Sequence, residues 1–591
     1  MARLDCRLMD DLEGSAATPA SVKFCRRVLH PLFALVATVC LLSVIGWTGS
    51  VTAWQRELTL WLGVVFAAER VWVFFRMRDE RAERRRLSYH GLLAVLVLLL
   101  CLSSWWGAGA ATGLPVWILL GVLLSGLASA IHHQSRFTAR AFHPGLLLIL
   151  SFLAIIVVGT LLLKMPRCTV EGVTCSWLDA AFTSTSAVCV TGLAVQNTAT
   201  FFSPTGQVVI LLLIQIGGLG IMTLAFFAAV VLFEGISLHD RLLLGRMLQE
   251  NRLARVGRTL SFIVILTFVF EALGALVLYG GLGGSLDGGE RWFHAVFHSI
   301  SAFCNAGFST LPDGLASSVV AGNWVWQVVI MALIVVGGLG ALVCEDIVLW
   351  MVALYRRHRL KQGAKPRLRV HTRLVLVVTL VLIVGGAVAI YLSEYLLWDG
   401  PANGGRVLSA LFHSVTTRTA GFNTVSMSAI APLTAQLMIV LMLIGGSPGG
   451  TAGGLRTTTF AVGLGHLWNQ LRGGTRGMVV FHRGIPSATG AQALGLIVLA
   501  GIWLAGNFMV LLALEAGRGI PESKLLFELV SAFATVGLSL DLTPQLGEGS
   551  KVLLIVNMFV GRIGLLAVLA TLIPPDRRPP SGKPFEDVLL T

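Results

Sequence analysis

The stretch FHAVFHSISAFCNAGFST, residues 293–310, recurs in altered form three more times along the chain. The other copies are LDAAFTSTSAVCVTGLA (178–194), LSALFHSVTTRTAGFNT (408–424) and LFELVSAFATVGLSL (526–540). Each copy contains a glycine flanked by small or hydroxyl residues, and these glycines are Gly192, Gly307, Gly421 and Gly537. Their separations of 115, 114 and 116 residues indicate a fourfold internal repeat.

The composition around these copies excludes a water-soluble protein of several domains. Of 591 residues, 55% are hydrophobic and only 13% are charged, and the mean hydropathy is +0.81. Runs of about 20 apolar residues predict transmembrane helices. Twelve such runs are found, near 30–47, 58–75, 89–105, 114–131, 144–163, 206–233, 259–279, 325–354, 373–392, 433–465, 489–514 and 551–573.

The basic residues are distributed unevenly between the two sides of the predicted membrane. The formal net charge is +14, which in a soluble protein raises nucleic acid as a partner. If the N-terminus is cytoplasmic, however, the inner loops hold 32 of the 44 Lys and Arg residues and the outer loops hold 9, with Lys551 at the edge of the last span included. This bias predicts a multi-pass protein of the plasma (inner) membrane with both termini in the cytoplasm, a lipid bilayer around it and no nucleic-acid partner.

Each copy of the repeat is followed by another apolar span, so a unit consists of a helix, a short half-helix, an extended segment with its glycine, and a second helix. Irregular backbone is tolerated at membrane depth only where it lines water or is buried in protein. Glycine accepts positive φ and places no side chain in a lumen. The half-helices, about 11 residues each, would direct partial negative charge at a cation. We therefore predict an all-α polytopic membrane fold, with four pseudo-symmetric helix/pore-loop/helix repeats around one central pore. The alternative is that the glycines are packing sites between helices.

The chain resembles the Trk/Ktr/HKT superfamily of potassium transporters, and within it the Ktr membrane (pore) subunit, over about residues 143–591. The resemblance rests on the four glycine loops and on GGSPGGTAGGLRTTTF, MVVFHRGIPSATGAQAL, MFVGRIG and PFEDVLLT. It implies a pseudo-tetrameric pore in one chain, a homodimer of such chains, and a ring of nucleotide-binding regulatory subunits on the cytoplasmic face. It implies potassium as the transported ion and no organic cofactor on this chain.

In this superfamily, glycine in all four loops goes with potassium selectivity, whereas serine in the first loop marks members that favour sodium. Gly192 occupies that place here, so the resemblance favours potassium uptake through a channel-like pore. The alternative is a sodium-selective or sodium-coupled cation transporter of the same fold. The ion-coordinating residues that the resemblance implies are Val190, Thr191, Gly192, Asn305, Ala306, Gly307, Thr419, Ala420, Gly421, Thr535, Val536 and Gly537.

The stretch GGSPGGTAGG, residues 445–454, interrupts an apolar span with six glycines and a proline. Its first five residues satisfy G-x-S-x-G, which in hydrolases lies between a strand and a helix, but the residues before it predict a membrane helix. An intramembrane hydrolase is therefore a remote alternative. Close packing is a second alternative, but consecutive glycines and a proline break a helix, and a break in lipid is costly. The interpretation that remains is a helix that is broken at this stretch and lines water.

The resemblance implies that this stretch lies under the filter and obstructs the pore until the regulatory ring moves it. An arginine near the middle of the last span costs about 2.5–3.5 kcal/mol. Arg562 in MFVGRIG is such a residue, and the resemblance implies a place in the pore as an electrostatic barrier and part of the gate. The predicted gate residues are Gly445, Gly446, Ser447, Pro448, Gly449, Gly450, Thr451, Ala452, Gly453, Gly454 and Arg562.

The predicted organisation has six parts. They are an N-terminal transmembrane extension of about four helices (1–142), pore repeats 1 (143–258), 2 (259–372), 3 with the broken inner helix (373–488) and 4 (489–574), and a cytoplasmic tail (575–591).

Two further expectations concern side chains. Arg418 should point behind the filter, and Cys168 and Cys175, which share an outer loop, form either a disulfide or two free thiols.

Overall fold

The computed structural model describes residues 144–220, 256–282, 287–360, 367–399, 405–474 and 477–565. The predicted N-terminal extension, the second half of the predicted span 206–233 and the predicted tail lie outside these residues. The described helices are α1 (Pro144–Leu163), α2 (Trp177–Val188), α3 (Thr198–Phe201), α4 (Pro204–Leu219), α5 (Val256–Gly281), α6 (Gly288–Phe303), α7 (Trp324–Leu339), α8 (Ala341–Leu360), α9 (Val370–Ile390), α10 (Arg406–Thr416), α11 (Pro432–Leu443), α12 (Thr457–Leu471), α13 (Ser487–Leu514), α14 (Glu522–Phe533) and α15 (Glu548–Ile563).

Shorter elements connect these helices. A π-helical turn, Tyr391–Leu396, continues α9. Strands β1 (Met478–Val480) and β2 (Arg483–Ile485) form an antiparallel hairpin in which Met478 pairs with Ile485. The 3₁₀ turns are Pro166–Cys168, Gly314–Ala316, Met427–Ala429 and Thr543–Gln545.

A chain order of long helix, short helix, glycine segment and inner helix occurs four times in the described residues. The long helices are α1, α5, α9 and α13, the short helices are α2, α6, α10 and α14, and the inner helices begin with α4, α7, α11 and α15. Each short helix carries a phenylalanine whose side chain is fully buried, at a spacing of 115 residues. These are Phe182, Phe297, Phe412 and Phe527.

Serine side chains join the first three short helices to the long helices that precede them. A hydroxyl in each short helix donates to a backbone carbonyl oxygen of the long helix, and a glycine one turn further along the long helix leaves room for this approach. The short helices are thereby held close to the long ones. The bonds are Ser184 Oγ to Ile156 O (2.8 Å), Ser299 Oγ to Glu271 O (2.6 Å) and Ser414 Oγ to Ile383 O (2.8 Å).

The long helices of the second, third and fourth repeats have the length and composition of membrane spans. They are Thr259–Gly281, Val370–Leu396 and Ser487–Leu514, with mean hydropathies of 2.4, 2.8 and 2.3. Large apolar side chains on them are exposed, including Phe268, Leu380 and Ile502. Because such a surface is compatible with acyl chains and not with water, the protein is a multi-pass membrane protein.

A glycine with positive φ follows three of the four inner helices. The helix α7 ends at Leu339, Gly340 has φ of 86°, and α8 leaves at 98° to α7. The apolar run predicted as a span over 325–354 therefore consists of two helices bent at Gly340, because a left-handed glycine ends a helix. Gly220 ends α4 in the same way, with φ of 78°, and Gly564 ends α15, with φ of 95°. In the third repeat, the predicted break is confirmed as the loop 444–456 between α11 and α12.

The start of α15 is capped by an acidic side chain from the end of α13. Glu515, the residue after α13, accepts hydrogen bonds from Gly547 N (2.8 Å), Ser550 Oγ (2.5 Å) and Arg518 Nη1 (2.7 Å). A carboxylate at a helix N-terminus satisfies free N–H groups and interacts favourably with the helix dipole. Glu515 therefore caps the first turn of the fourth inner helix.

Candidate functional site

The four glycine segments, which in sequence lie more than 100 residues apart, meet at one place. A Cβ atom built on Gly192 would lie under 3.0 Å from Ala306 O, and one on Gly537 would do the same with Thr191 O. A Cβ atom built on Gly307 would likewise lie under 3.0 Å from Ala420 O, and one on Gly421 under 3.0 Å from Val536 O. The segments therefore form a closed ring in chain order, here called the glycine ring: Val190–Gly192, Asn305–Gly307, Thr419–Gly421 and Thr535–Gly537.

The structure thus brings together all twelve residues predicted to coordinate an ion. Eight of them are buried, and only the four glycines are partly exposed. The glycine of each segment therefore forms the accessible surface of the ring, and its lack of a side chain keeps that surface composed of backbone.

The first residue of each segment has a left-handed backbone although it is not glycine. The φ angles are 57° at Val190, 61° at Asn305, 70° at Thr419 and 50° at Thr535. Positive φ is a genuine outlier for β-branched residues, and such strain costs about 1–3 kcal/mol per residue. The middle residues do not share it, so left-handed and ordinary conformations alternate through each segment.

Buried hydroxyl residues in the short helices hold these strained segments. In the first repeat, Thr191 N donates to Ser186 O (2.7 Å) and Gly192 N donates to Ser186 Oγ (3.0 Å). In the fourth repeat, Val536 N donates to Ser531 O (2.9 Å) and Gly537 N donates to Ser531 Oγ (3.1 Å). In the second and third repeats, the hydroxyl instead donates to a carbonyl just after the glycine: Ser301 Oγ to Phe308 O (2.8 Å) and Thr416 Oγ1 to Phe422 O (2.7 Å).

These four hydroxyl residues are site residues that were not predicted from the sequence. Their positions, 186, 301, 416 and 531, are each 115 residues apart. That spacing was present in the quoted repeats and would have identified them.

The loop 444–456, which contains most of the predicted gate residues, is closed at its neck by backbone hydrogen bonds. Gly445 N donates to Leu455 O (2.9 Å) and Thr457 N donates to Gly446 O (3.0 Å). The guanidinium of Arg456 donates to Ala452 O inside the loop. The loop is therefore a compact unit.

The loop lies directly against the glycine ring and the broken second inner helix. A Cβ atom on Gly453 would collide with the side chain of Thr535 in the ring. Ser447 N donates to Gly338 O (3.0 Å), and Ala341 N donates to Gly449 O (3.3 Å) across the break at Gly340. The loop therefore fills the space between the ring and the interrupted helix.

Arg562 joins this loop to the first inner helix. Its guanidinium donates through Nη2 to Gly217 O (2.5 Å) and through Nη1 to Thr451 O. Both acceptors are backbone carbonyl oxygens, so these contacts leave its positive charge without compensation by a carboxylate. Because α15 ends at Ile563, Arg562 lies in the last turn of this helix.

Arg418, which was predicted to point behind the filter, contacts backbone carbonyl oxygens outside the ring. Its guanidinium contacts Thr379 O of α9 and Gly445 O, both at 3.5 Å. The side chain is 7% exposed. Its charge is therefore directed towards the long helix α9 and the neck of the loop.

Ser447, the serine of the G-x-S-x-G pattern, does not have the surroundings of a nucleophile. It is fully buried, and its hydroxyl lies 3.4 Å from the hydroxyl of Thr457. The helix α11 and the short extended segment at Ile444 precede it, instead of a sheet strand. The geometry gives it a structural role in the neck of the loop.

Cys168 and Cys175 are both buried and both free. Burial raises the pKa of each thiol to about 11. Of the two alternatives, the structure has two free thiols. Within the described residues, no group of three His, Cys, Asp or Glu side chains forms a metal site.

Comparisons with known proteins agree with this arrangement. Residues 118–578 match the family model TrkH, described as a cation transport protein. The chain is 36% identical over 459 residues to Ktr system potassium uptake protein B of Vibrio alginolyticus, covering 77% of this chain and 96% of that protein. It is 32% identical to the potassium/sodium uptake protein NtpJ of Enterococcus hirae, covering 76% and 98%. The crystal structure of the potassium transporter TrkH from Vibrio parahaemolyticus superposes with a TM-score of 0.58 at 16% identity, covering 88% and 98%. These relatives are transport proteins, not enzymes.

Proposed function

Because the chain belongs to the TrkH family of cation transport proteins, we propose that it takes up potassium ions across the plasma (inner) membrane as a channel-like pore subunit. The observation that carries the proposal is the closed glycine ring, in which four distant segments of one chain meet with their glycines partly exposed. Membership of a transport family and a ring of backbone groups inside a membrane protein both support the transport of an ion.

The ring is the proposed selectivity filter. Where a left-handed residue alternates with ordinary ones, successive peptide planes turn so that neighbouring carbonyls face the same side. Oxygens arranged in this way replace the hydration shell of an alkali cation. The proposed ligands are the backbone oxygens of the twelve ring residues, and the four repeats around them are proposed to be pseudo-symmetric about the pore.

In the superfamily that the chain resembles, glycine at the place of Gly192 goes with potassium selectivity, which supports potassium over sodium as the substrate. Any side chain there would collide with the carbonyl of Ala306, so only glycine leaves that oxygen in place. A sodium-selective or sodium-coupled transporter is the second candidate, since one relative carries both ions in its name. Potassium is the transported substrate in the first case, and sodium replaces or accompanies it in the second.

The loop 444–456 and Arg562 form the proposed gate. The loop lies against Thr535 of the ring, and the guanidinium of Arg562 holds Thr451 O. A positive charge at this place repels cations, and a low local dielectric strengthens the repulsion. Opening would require the loop to give up its bonds to the broken helices, among them Thr451 N to Gly337 O (3.3 Å) and Gly454 N to Gly561 O (3.4 Å).

The proposed assembly is a homodimer with a cytoplasmic ring of nucleotide-binding regulatory subunits that moves the loop. The resemblance of GGSPGGTAGGLRTTTF and of the tail to the Ktr pore subunit supports it. The positive-inside distribution of Lys and Arg supports cytoplasmic N- and C-termini. The six parts of the chain, with the boundaries predicted above, belong to the same proposal.

Uptake of ⁸⁶Rb⁺ into liposomes that contain the purified full-length chain tests the function. Concentrative uptake against a potassium gradient, with weak competition by external Na⁺, is the expected result. Equal competition by Na⁺ and K⁺ favours the second candidate. Absence of any cation flux from a monodisperse, correctly folded preparation contradicts both.

A further inference from the structure

One position of the short helices carries a buried polar residue in every repeat, of three different types. Thr183, His298, His413 and Glu528 are spaced by 115 residues, and each is at most 3% exposed. A buried polar side chain costs free energy unless it is hydrogen-bonded. Their partners therefore indicate what the position does.

In three repeats, the partner lies in the segment that follows the ring glycine. His298 Nδ1 donates to His294 O at 2.8 Å, so in the neutral ring His298 Nε2 accepts from Ser309 Oγ (2.9 Å). His413 Nε2 lies 3.2 Å from Thr424 Oγ1. The partner hydroxyls at 309, 424 and 539 are again 115 residues apart.

The fourth repeat has the strongest of these contacts. Glu528 accepts hydrogen bonds from Ser539 Oγ (2.5 Å), Leu540 N (3.1 Å) and Thr543 Oγ1 (2.6 Å). Its two carboxylate oxygens therefore hold three successive points of the chain just outside the ring. Hydrogen bonds to a carboxylate are stronger than those between neutral groups.

The first repeat lacks the contact. The residue equivalent to Ser309, Thr424 and Ser539 is Ala194, which has no hydroxyl. Within the described part of the chain, the Oγ1 atom of Thr183 is buried without a hydrogen-bond partner. The segment after Gly192 is thus not tied to its short helix at this position.

We propose that His298, His413 and Glu528 are positioning residues, here called the braces, that fix the chain just after the ring glycine in three repeats. The first repeat has no such contact at this position. Strained backbone persists only where its surroundings over-determine it. The braces supply that constraint two or three residues beyond the glycine, whereas the hydroxyl residues at 186, 301, 416 and 531 supply it at the glycine or at the residue after it. The inference rests on the proposed function, because it assigns ion discrimination to the rigidity of the proposed filter.

The test compares Glu528→Ala, Glu528→Gln and Thr183→Ala in the full-length chain in liposomes. The amide of Gln can still accept from Ser539 Oγ and Leu540 N, and can donate to the hydroxyl of Thr543, so this variant preserves the geometry. Thr183→Ala is the matched control, because it removes a hydroxyl from the same position in a repeat without a brace. The readout is the ratio of ⁸⁶Rb⁺ to ²²Na⁺ uptake.

Loss of a hydrogen bond to a charged group shifts an equilibrium by about tenfold or more. If part of that shift reaches the ring, Glu528→Ala lowers the ratio about threefold or more, whereas Glu528→Gln and Thr183→Ala keep it near the wild-type value. An unchanged ratio in folded Glu528→Ala, or an equal fall in Thr183→Ala, overturns the proposal.

If Glu528→Ala does not yield a monodisperse protein, Ser539→Ala and Thr543→Val remove the partner hydroxyls without unpairing the rest of the carboxylate. The same fall in ratio is then expected, and its absence in both variants overturns the braces. Failure of the proposed function has a different signature, because the wild-type chain would then show no Rb⁺ uptake or no preference for it over Na⁺.

Discussion

Replacing Gly192 by serine should convert a discriminating ring into a less discriminating one. Gly192 has φ of 94°, a conformation that costs about 1–2 kcal/mol for an L-residue. The new Cβ atom would lie 2.3 Å from Ala306 O, where real Cβ atoms stay beyond 3.0 Å. Relief of the collision therefore requires a shift of about 0.7 Å between the first and second segments, the difference between those two distances.

The shift moves a proposed ion ligand, so it should affect the two ions unequally. If about 1 kcal/mol of the cost differs between the potassium-filled and sodium-filled ring, the preference for potassium falls about fivefold. The assay is ⁸⁶Rb⁺ uptake into liposomes with increasing external Na⁺, and the expected result is stronger inhibition by Na⁺ in Gly192→Ser.

Gly172→Ser separates this effect from backbone strain alone. Gly172 has φ of 83°, but a Cβ atom built on it has nothing within 4 Å. Both variants should therefore have a lower melting temperature than the wild type, whereas only Gly192→Ser should change the inhibition by Na⁺. The same inhibition curve for folded Gly192→Ser and wild type would refute the assignment of the ring as the filter.

Three further predictions concern the gate and the outer loops. Arg562→Ala should raise cation flux, because it removes both a repelling charge and a bond to the loop, and shortening 447–452 should do the same; unchanged flux in both variants contradicts the gate. Burial raises the pKa of Glu515, but the hydrogen bonds to its carboxylate outweigh this and lower the pKa in the folded protein. Its stabilising contribution is therefore present above the ordinary pKa of 4.5 and is lost as pH falls through the lower folded-state pKa. The melting temperatures of Glu515→Gln and wild type should converge in acid. Cys168 and Cys175, with raised pKa values, should react with maleimide only after unfolding and without prior reduction, as peptide mass spectrometry would detect; a disulfide-linked peptide would contradict this.

The meeting of the four glycine segments followed from the sequence because a repeat of constant spacing places equivalent residues at equivalent positions. The ends of the inner helices at Gly220 and Gly340 were missed, since an apolar count treats GGLG at 217–220 and 337–340 as part of a span. A glycine ends a helix only where its surroundings favour positive φ, and Gly340 owes this to the loop packed against it. The contact of Arg562 with Gly217 joins residues 345 positions apart, so no local pattern predicts it.

The single-chain origin of the glycine ring has a consequence for how such a site diverges. In a ring of four identical chains, one codon change alters all four sides together. Here each side has its own codons, and the first positions already differ as Val190, Asn305, Thr419 and Thr535 while their backbone conformation is shared. A substitution therefore perturbs one quarter of the ring at a time. With the ring as the proposed filter, ion preference becomes adjustable in small, separately inherited steps.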